Sequence, residues 1–262
     1  MSFFSKMLSK VGVGAATIDA VLDHEQAEPG QPISGVINIV GGKVDQQINK
    51  IDLDVYCNYF VEETIEEDNE SHTRKIEKTC RINSFDIAEN FTIGSGEKKK
   101  LNFSFELSPH APLSAGHCKS WLKTNLDIDY ALDTDDKDYI DIRPNPLQAA
   151  TIAALIDLGF EVVEVESEGC HCDRTTLPFI QEFEFVARSG EFRGKLDEVE
   201  LVMFINGDNL DIFLEIDRRS KGLGGFFATA FGRDETNVHL TISPDEVEQL
   251  GDMLHEIISE NC

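Results

Sequence analysis

Between residues 51 and 61 the chain alternates with a period of two. Ile51, Leu53, Val55, Cys57, Tyr59 and Val61 occupy one set of positions, and Asp52, Asp54 and Asn58 fall in the other. A period of two gathers a set of side chains on one face only if the backbone is extended, so this stretch predicts a long, half-buried β-strand and excludes a helix. Leu101, Phe103, Phe105 and Leu107 repeat the pattern. So do Leu122, Leu126, Ile128 and Tyr130, with Asp127 and Asp129 pointing the other way. Pro29-Gly30, Gly41-Gly42, Gly94-Ser95-Gly96 and Pro109 to Pro112 punctuate these runs, as expected of an antiparallel sandwich. Glu62 to Arg74 is acidic and polar. It predicts a solvated hairpin tip or loop with no packed element.

Pro144 and Pro146 interrupt the pattern, because each ring removes a backbone donor and biases the preceding residue toward extended geometry. Asn145 can cap a helix with Pro146 at its first position, Leu147 to Leu158 are good helix formers, and Gly159 suits a left-handed stop. A second set of strands follows. Phe183 and Phe185 alternate with Glu182 and Glu184; Leu201, Met203 and Ile205 form another run. Leu210, Ile212, Leu214 and Ile216 oppose Asp211, Glu215 and Asp217 after an Asn206-Gly207-Asp208 turn, and Val238, Leu240 and Ile242 make a last strand. Ser243, Pro244 and Glu246 read as a capping-box start for a helix with Val247, Leu250, Leu254 and Ile257 or Ile258 on one face. The expected fold class is all-β: two antiparallel β-sandwiches with short terminal helices and a linking helix. The expected division is 1–143 for the first sandwich with an N-terminal helix, 144–243 for the second, and 244–262 for the C-terminal helix.

Acidic residues number 49 against 23 lysines and arginines, a formal charge of -26 over 262 residues. That charge opposes non-specific binding to nucleic acid or anionic lipid, so no nucleic-acid partner is expected. Met1 to Val11 carries Lys6 and Lys10 among scattered apolar residues, and Leu147 to Val165 is interrupted by Asp157 and Glu161. Neither a secretory signal nor a membrane span is predicted, and a cytoplasmic location is expected. In a reducing compartment Cys57, Cys80, Cys118, Cys170, Cys172 and Cys262 are expected to be free thiols.

Two segments offer contact surfaces. Phe3, Phe4, Met7, Leu8 and Val11 have helical spacing, and Phe226 and Phe227 follow the basic run Arg218-Arg219-Ser220-Lys221. Each can either pack on the protein's own sandwiches or meet a partner or the periphery of a membrane. An apolar helix face or an unpaired edge strand would also support a homodimer.

Few residues promise chemistry. Cys170-His171-Cys172 is a run of possible metal ligands, but successive residues of an extended chain point to opposite sides and no second ligand pair accompanies it. Asp133, Asp135, Asp136, Asp138 and Asp141 do not match a calcium loop, since Asp138 stands where glycine is required and Pro144 where a bidentate glutamate belongs. No nucleophile elbow or phosphate loop is present. The expectation is a protein that is not an enzyme and holds no metal.

Gly41-Gly42-Lys43, Ile51-Asp52-Leu53, Leu126 to Asp129, Leu177 to Phe185, Leu196 to Glu200, and Asp217-Arg218-Arg219 before Gly222 to Gly225 resemble segments of the stage-zero sporulation-control protein M family. The likeness covers nearly the whole chain. It implies two arrestin-like sandwiches, no cofactor, and regulation through contacts with other proteins. It also implies a charged cluster between the sandwiches, for which Arg218 or Arg219 with Asp127, Asp129 and Asp217 are the candidates. A β-sandwich module binding a ligand or carbohydrate is the alternative. The single Trp121 and four tyrosines make a poor aromatic platform for it.

Overall fold

The computed structural model describes residues 14–67, 70–129, 134–170, 172–217 and 237–262. The strands are β1 (Thr17–Leu22), β2 (Gln26–Ala27), β3 (Pro32–Val40), β4 (Gln46–Glu67), β5 (Glu70–Ile93), β6 (Lys98–Glu106), β7 (Ser120–Ile128), β8 (Thr134–Ile142), β9 (Phe160–Gly169), β10 (Phe179–Ala187), β11 (Glu198–Asn206), β12 (Asn209–Asp217) and β13 (Asn237–Ile242). Helix α1 (Pro146–Asp157) separates β8 from β9, and a 3-10 helix over Pro244–Gln249 leads into α2 (Leu250–Glu260). No described helix is long and apolar enough to cross a membrane.

β1, β3 and β6 form a three-stranded sheet, while the other strands belong to a ten-stranded one. The long strand β4 organises the large sheet. Along one edge it pairs with β5 throughout; along the other it pairs first with β7, from Ile48 to Cys57, and then with β9 at Phe60. β9 to β13 then run as an antiparallel meander, so one sheet passes from the first half of the molecule into the second.

The alternating residues face inward as their period requires. Ile51, Leu53 and Val55 of β4, with Leu122 and Leu126 of β7, lie buried against Ile18, Ile37, Ile39, Phe103 and Phe105 of the small sheet. In the second half Phe183, Phe185, Val199, Leu201, Leu210, Ile212 and Leu214 occupy one buried face, with Leu147 and Leu155 of α1 and Leu250, Leu254 and Ile258 of α2 in the same core. Each such side chain contributes about 1.5–3 kcal/mol by leaving water.

Helix α1 starts as expected. Asn145 accepts from the Gln148 backbone at 2.9 Å, Gln148 returns a bond to the Asn145 backbone at 3.0 Å, and Gly159 takes a left-handed φ of 98°. Of the two alternatives for Glu62 to Arg74, the hairpin holds and the loop does not: the β4–β5 ladder continues to the pair Glu67–Glu70. Its polar composition fits an extended hairpin arm whose described side chains are almost all exposed. Bulges opposite Ile51/Asp52 and Val55/Tyr56, and Asn90 at φ 51°, interrupt the alternation of β5, which hides this strand from period counting. The C-terminal helix likewise begins as a 3-10 turn, with the Glu246 carboxylate accepting from both the backbone N–H and the hydroxyl of Ser243.

Candidate functional site

The two halves meet where the loop between β6 and β7 lies on β9 and β10. Gln181 of β10 clamps Leu113 by donating to its carbonyl and accepting from its N–H, both at 2.8 Å. The His117 N–H donates to the Val165 carbonyl at 3.0 Å, and Cys118 Sγ lies 3.3 Å from Ser167 Oγ. Buried Asn58 of β4 ties the loop back to the first half. It accepts from the Lys119 N–H at 2.7 Å and donates to the His117 carbonyl at 3.0 Å and to Glu77 at 2.8 Å. Gly116 makes this close seating feasible: its φ is +54°, and a Cβ there would fall 2.4 Å from the Val165 carbonyl oxygen. Gly116→Ala is therefore expected to cost about 1–3 kcal/mol through strain and loosened docking. An unchanged urea midpoint would show that the loop is not seated this tightly.

Charge concentrates at the same place. Glu164, Glu166 and Glu168 share one face of β9 by their spacing, and the register places Glu184 opposite Glu164, Glu182 opposite Glu166, Glu200 opposite Glu184, and Glu215 opposite Glu200. A row of carboxylates thus crosses four strands, an arrangement in which like charges oppose one another directly. Lys75 of β5 reaches in from the first half, pairing with Glu166 and lying 3.5 Å from Glu168, with its ammonium 5.7 Å from the centre of the Phe60 ring. Burial works to lower the Lys75 pKa, but the bond to Glu166 and the surrounding carboxylates outweigh it and raise the pKa. Burial, followed by repulsion from Glu200 and its neighbours, pushes Glu182 up to about 9, and burial is also the main cause that takes Glu200 to about 7. One ligand-capable atom each from His117, Glu164 and Glu166 lies within 4.8 Å of the others.

Of the residues expected to form an interdomain cluster, only Asp127, Asp129 and the backbone of Asp217 are described. Asp127 and Asp129 accept from the side-chain amide of Asn49 at 3.2 and 2.9 Å on an exposed surface. Asp217 ends β12 opposite Glu198. Arg218, Arg219, Phe226 and Phe227, with Phe3, Phe4, Met7 and Leu8, lie outside the described residues. Among the described residues, Lys75 is a cation that joins the halves, and its polar surroundings in sequence gave no sign of it. Cys170 and Cys172 are buried with Ile180, Val202, Phe204 and Phe213, and burial pushes the Cys170 thiol up to about 12, which keeps it protonated at neutral pH. His171 is outside the described residues. The described cysteines are free thiols.

A second polar centre sits on the same sheet. Asp211 of β12, 6% exposed, accepts from Thr241 at 2.5 Å, from Arg174 at 3.2 Å and from Asn206 at 3.3 Å, and lies 3.5 Å from His239. Phe213 stacks against His239 with ring centres 4.3 Å apart, and the Arg174 guanidinium lies 4.5 Å from the Phe213 ring centre. Every oxygen of this carboxylate is satisfied, which is the signature of a structural anchor.

A family profile described as SpoOM protein matches residues 4–220. The sporulation-control protein spo0M of Bacillus subtilis strain 168 is 35% identical over 263 residues, covering 99% of both chains. The crystal structure of Spo0M from Bacillus subtilis superposes with a TM-score of 0.83 at 34% identity, over 95% of this chain and 100% of that one. The profile, the full-length identity and the shared mostly β, arrestin-like architecture agree, and the chain belongs to the Spo0M family of sporulation-control proteins.

Proposed function

We propose that this chain is a non-enzymatic regulator that acts in the cytoplasm through contacts with other proteins, and that the β4–β5 hairpin is its partner-facing surface. The relative from Bacillus subtilis is named a sporulation-control protein, which supports a regulatory role. The observation that carries the contact reading is the hairpin itself. Among the described residues β5 pairs with no strand but β4, so its other edge carries no strand partner, and the arm beyond Phe60 pairs with no other strand. An open edge of this kind recruits an extended segment of another chain by strand addition. The same edge provides a route to a homodimer, which sedimentation at rising concentration reads directly.

The test shortens the arm by joining Glu62 to Lys75 through an Asn-Gly turn. The shortened protein is expected to keep its melting temperature, because the removed side chains that are described lie in solvent, and to lose the proteins that the full chain captures from its own cells. Capture of the same set by both would refute the hairpin reading.

A carbohydrate-binding reading has one observation in its favour: Trp121 stacks with Tyr56 at 6.0 Å and meets exposed Tyr139 edge-on at 6.3 Å. The Lys137 ammonium already occupies the indole face, 3.7 Å from its centre, so a sugar ring would have to displace a cation–π contact. Tryptophan fluorescence unchanged across a panel of glycans is the expected result.

A further inference from the structure

We propose that His117, Glu164 and Glu166 bind one divalent first-row transition cation, Zn2+ by the chemistry of the donors, and that this ion staples the two halves of the molecule across their junction.

The backbone builds the site before any ion arrives. Glu164 and Glu166 are two apart on β9 and project to one face, and the residue between them, Val165, accepts the His117 N–H at 3.0 Å. That bond sets the imidazole beside the two carboxylates. The His117 carbonyl is held in turn by Asn58 at 3.0 Å, and Gly116 supplies the left-handed turn that lets the loop approach. The ligand backbone is thereby positioned from both sides without help from its side chain, which lowers the ordering cost of binding.

The spacing suits an ion. With bonds of about 2.0–2.2 Å in a tetrahedral arrangement, two ligand atoms on one cation lie about 3.3–3.6 Å apart. The three atoms here lie within 4.8 Å of one another. Closing them onto a cation takes side-chain movements of up to about 1 Å, within reach of a rotamer adjustment because His117 is exposed. One imidazole nitrogen with two carboxylate oxygens is a set that zinc accepts in sites with three protein ligands and an open position, whereas calcium and magnesium favour oxygen alone.

The electrostatics favour the same occupant. Glu168, Glu182 and Glu184 surround the two carboxylates, and Lys75 is the cation paired with Glu166 and Glu168. Carboxylates placed directly opposite one another repel, and a dication between the strands offsets that repulsion where one ammonium leaves an excess of negative charge. His117 comes from the first half and both glutamates from the second. A bound ion therefore resists separation of the halves.

The test titrates the full-length protein, stripped with a chelator, with Co2+ and then displaces it with Zn2+. One equivalent is expected, with weak visible bands and no sulfur-to-cobalt charge-transfer band, and Zn2+ should raise the melting temperature. His117→Ala and Glu164→Gln should each weaken binding by at least about tenfold and abolish the thermal shift. Both changes are at solvent-accessible side chains, and His117→Gln serves as a second variant if the alanine protein melts early in the metal-free state. No saturable binding, a thiolate band that points to the cysteines, or affinity unchanged in the histidine and glutamate variants would each overturn the proposal.

Discussion

Replacing Glu182 with glutamine is expected to raise stability by several kcal/mol at about pH 8 and to change it little at about pH 5. Glu182 lies beside the carboxylate row, opposite Glu166, 5% exposed, with Oε2 lacking a hydrogen-bond partner among the described residues. Burial first, and then Glu200, Glu168, Glu184 and Glu215, push its pKa from 4.5 up to about 9. A carboxyl group whose folded pKa lies above its unfolded value retains a proton that the unfolded chain gives up. Stability is therefore full below the unfolded value and falls as pH rises toward the folded one, by about 1.4 kcal/mol per unit. Glutamine keeps the shape and stays neutral, so it removes the decline. Glu200 and Asp138, both raised to about 7, contribute their own losses below that pH. Urea unfolding between about pH 7 and pH 8.5, in the presence of a chelator, therefore isolates Glu182. Parallel pH slopes in the parent and the Glu182→Gln protein would refute the assignment.

Removing the Asp211 carboxylate should destabilise the second half by about 3 kcal/mol, because Asp211→Ala strands Arg174, Thr241 and Asn206 around a small cavity. Burial works to raise the Asp211 pKa, yet the hydrogen bond from Thr241 and the proximity of His239 outweigh it and hold the group below the usual carboxylate range. The sign is opposite to that of Glu182. This contribution is present above the unfolded pKa and disappears as pH falls through the lowered one. A denaturation midpoint in Asp211→Ala equal to that of the parent at neutral pH would show the cluster to be decorative.

The legible parts of the sequence were those governed by neighbours close in the chain. The alternation of Ile51 to Val61 identified β4 and its buried face, Asn145, Pro146 and Gly159 framed α1, and Asn206-Gly207-Asp208 marked the turn between β11 and β12. The arm of β4–β5 was harder. Strand pairing there is maintained by backbone bonds to a partner strand, and exposed polar side chains carry no period. The resemblance to arrestin-like proteins implies a charged cluster around Arg218 or Arg219, which lie outside the described residues; the ion pairs of Lys75 with Glu166 and Glu168 were not read from the sequence. Asp127 and Asp129 accept from Asn49 within the first half.

By itself the sequence determined the class of fold, the inward faces of the strands, the boundaries of α1 and the family, because each depends on local backbone geometry or on recognisable segments. Which side chains meet was decided only by the tertiary structure. β4 is long enough to leave β7 and pair with β9, and that register sets Glu164 and Glu166 beside a loop carrying His117 and beneath a strand carrying Lys75. The physical reason is range. A hydrophobic period is imposed residue by residue along the chain, whereas an ion pair or a set of ligands exists only once distant segments have been brought into register.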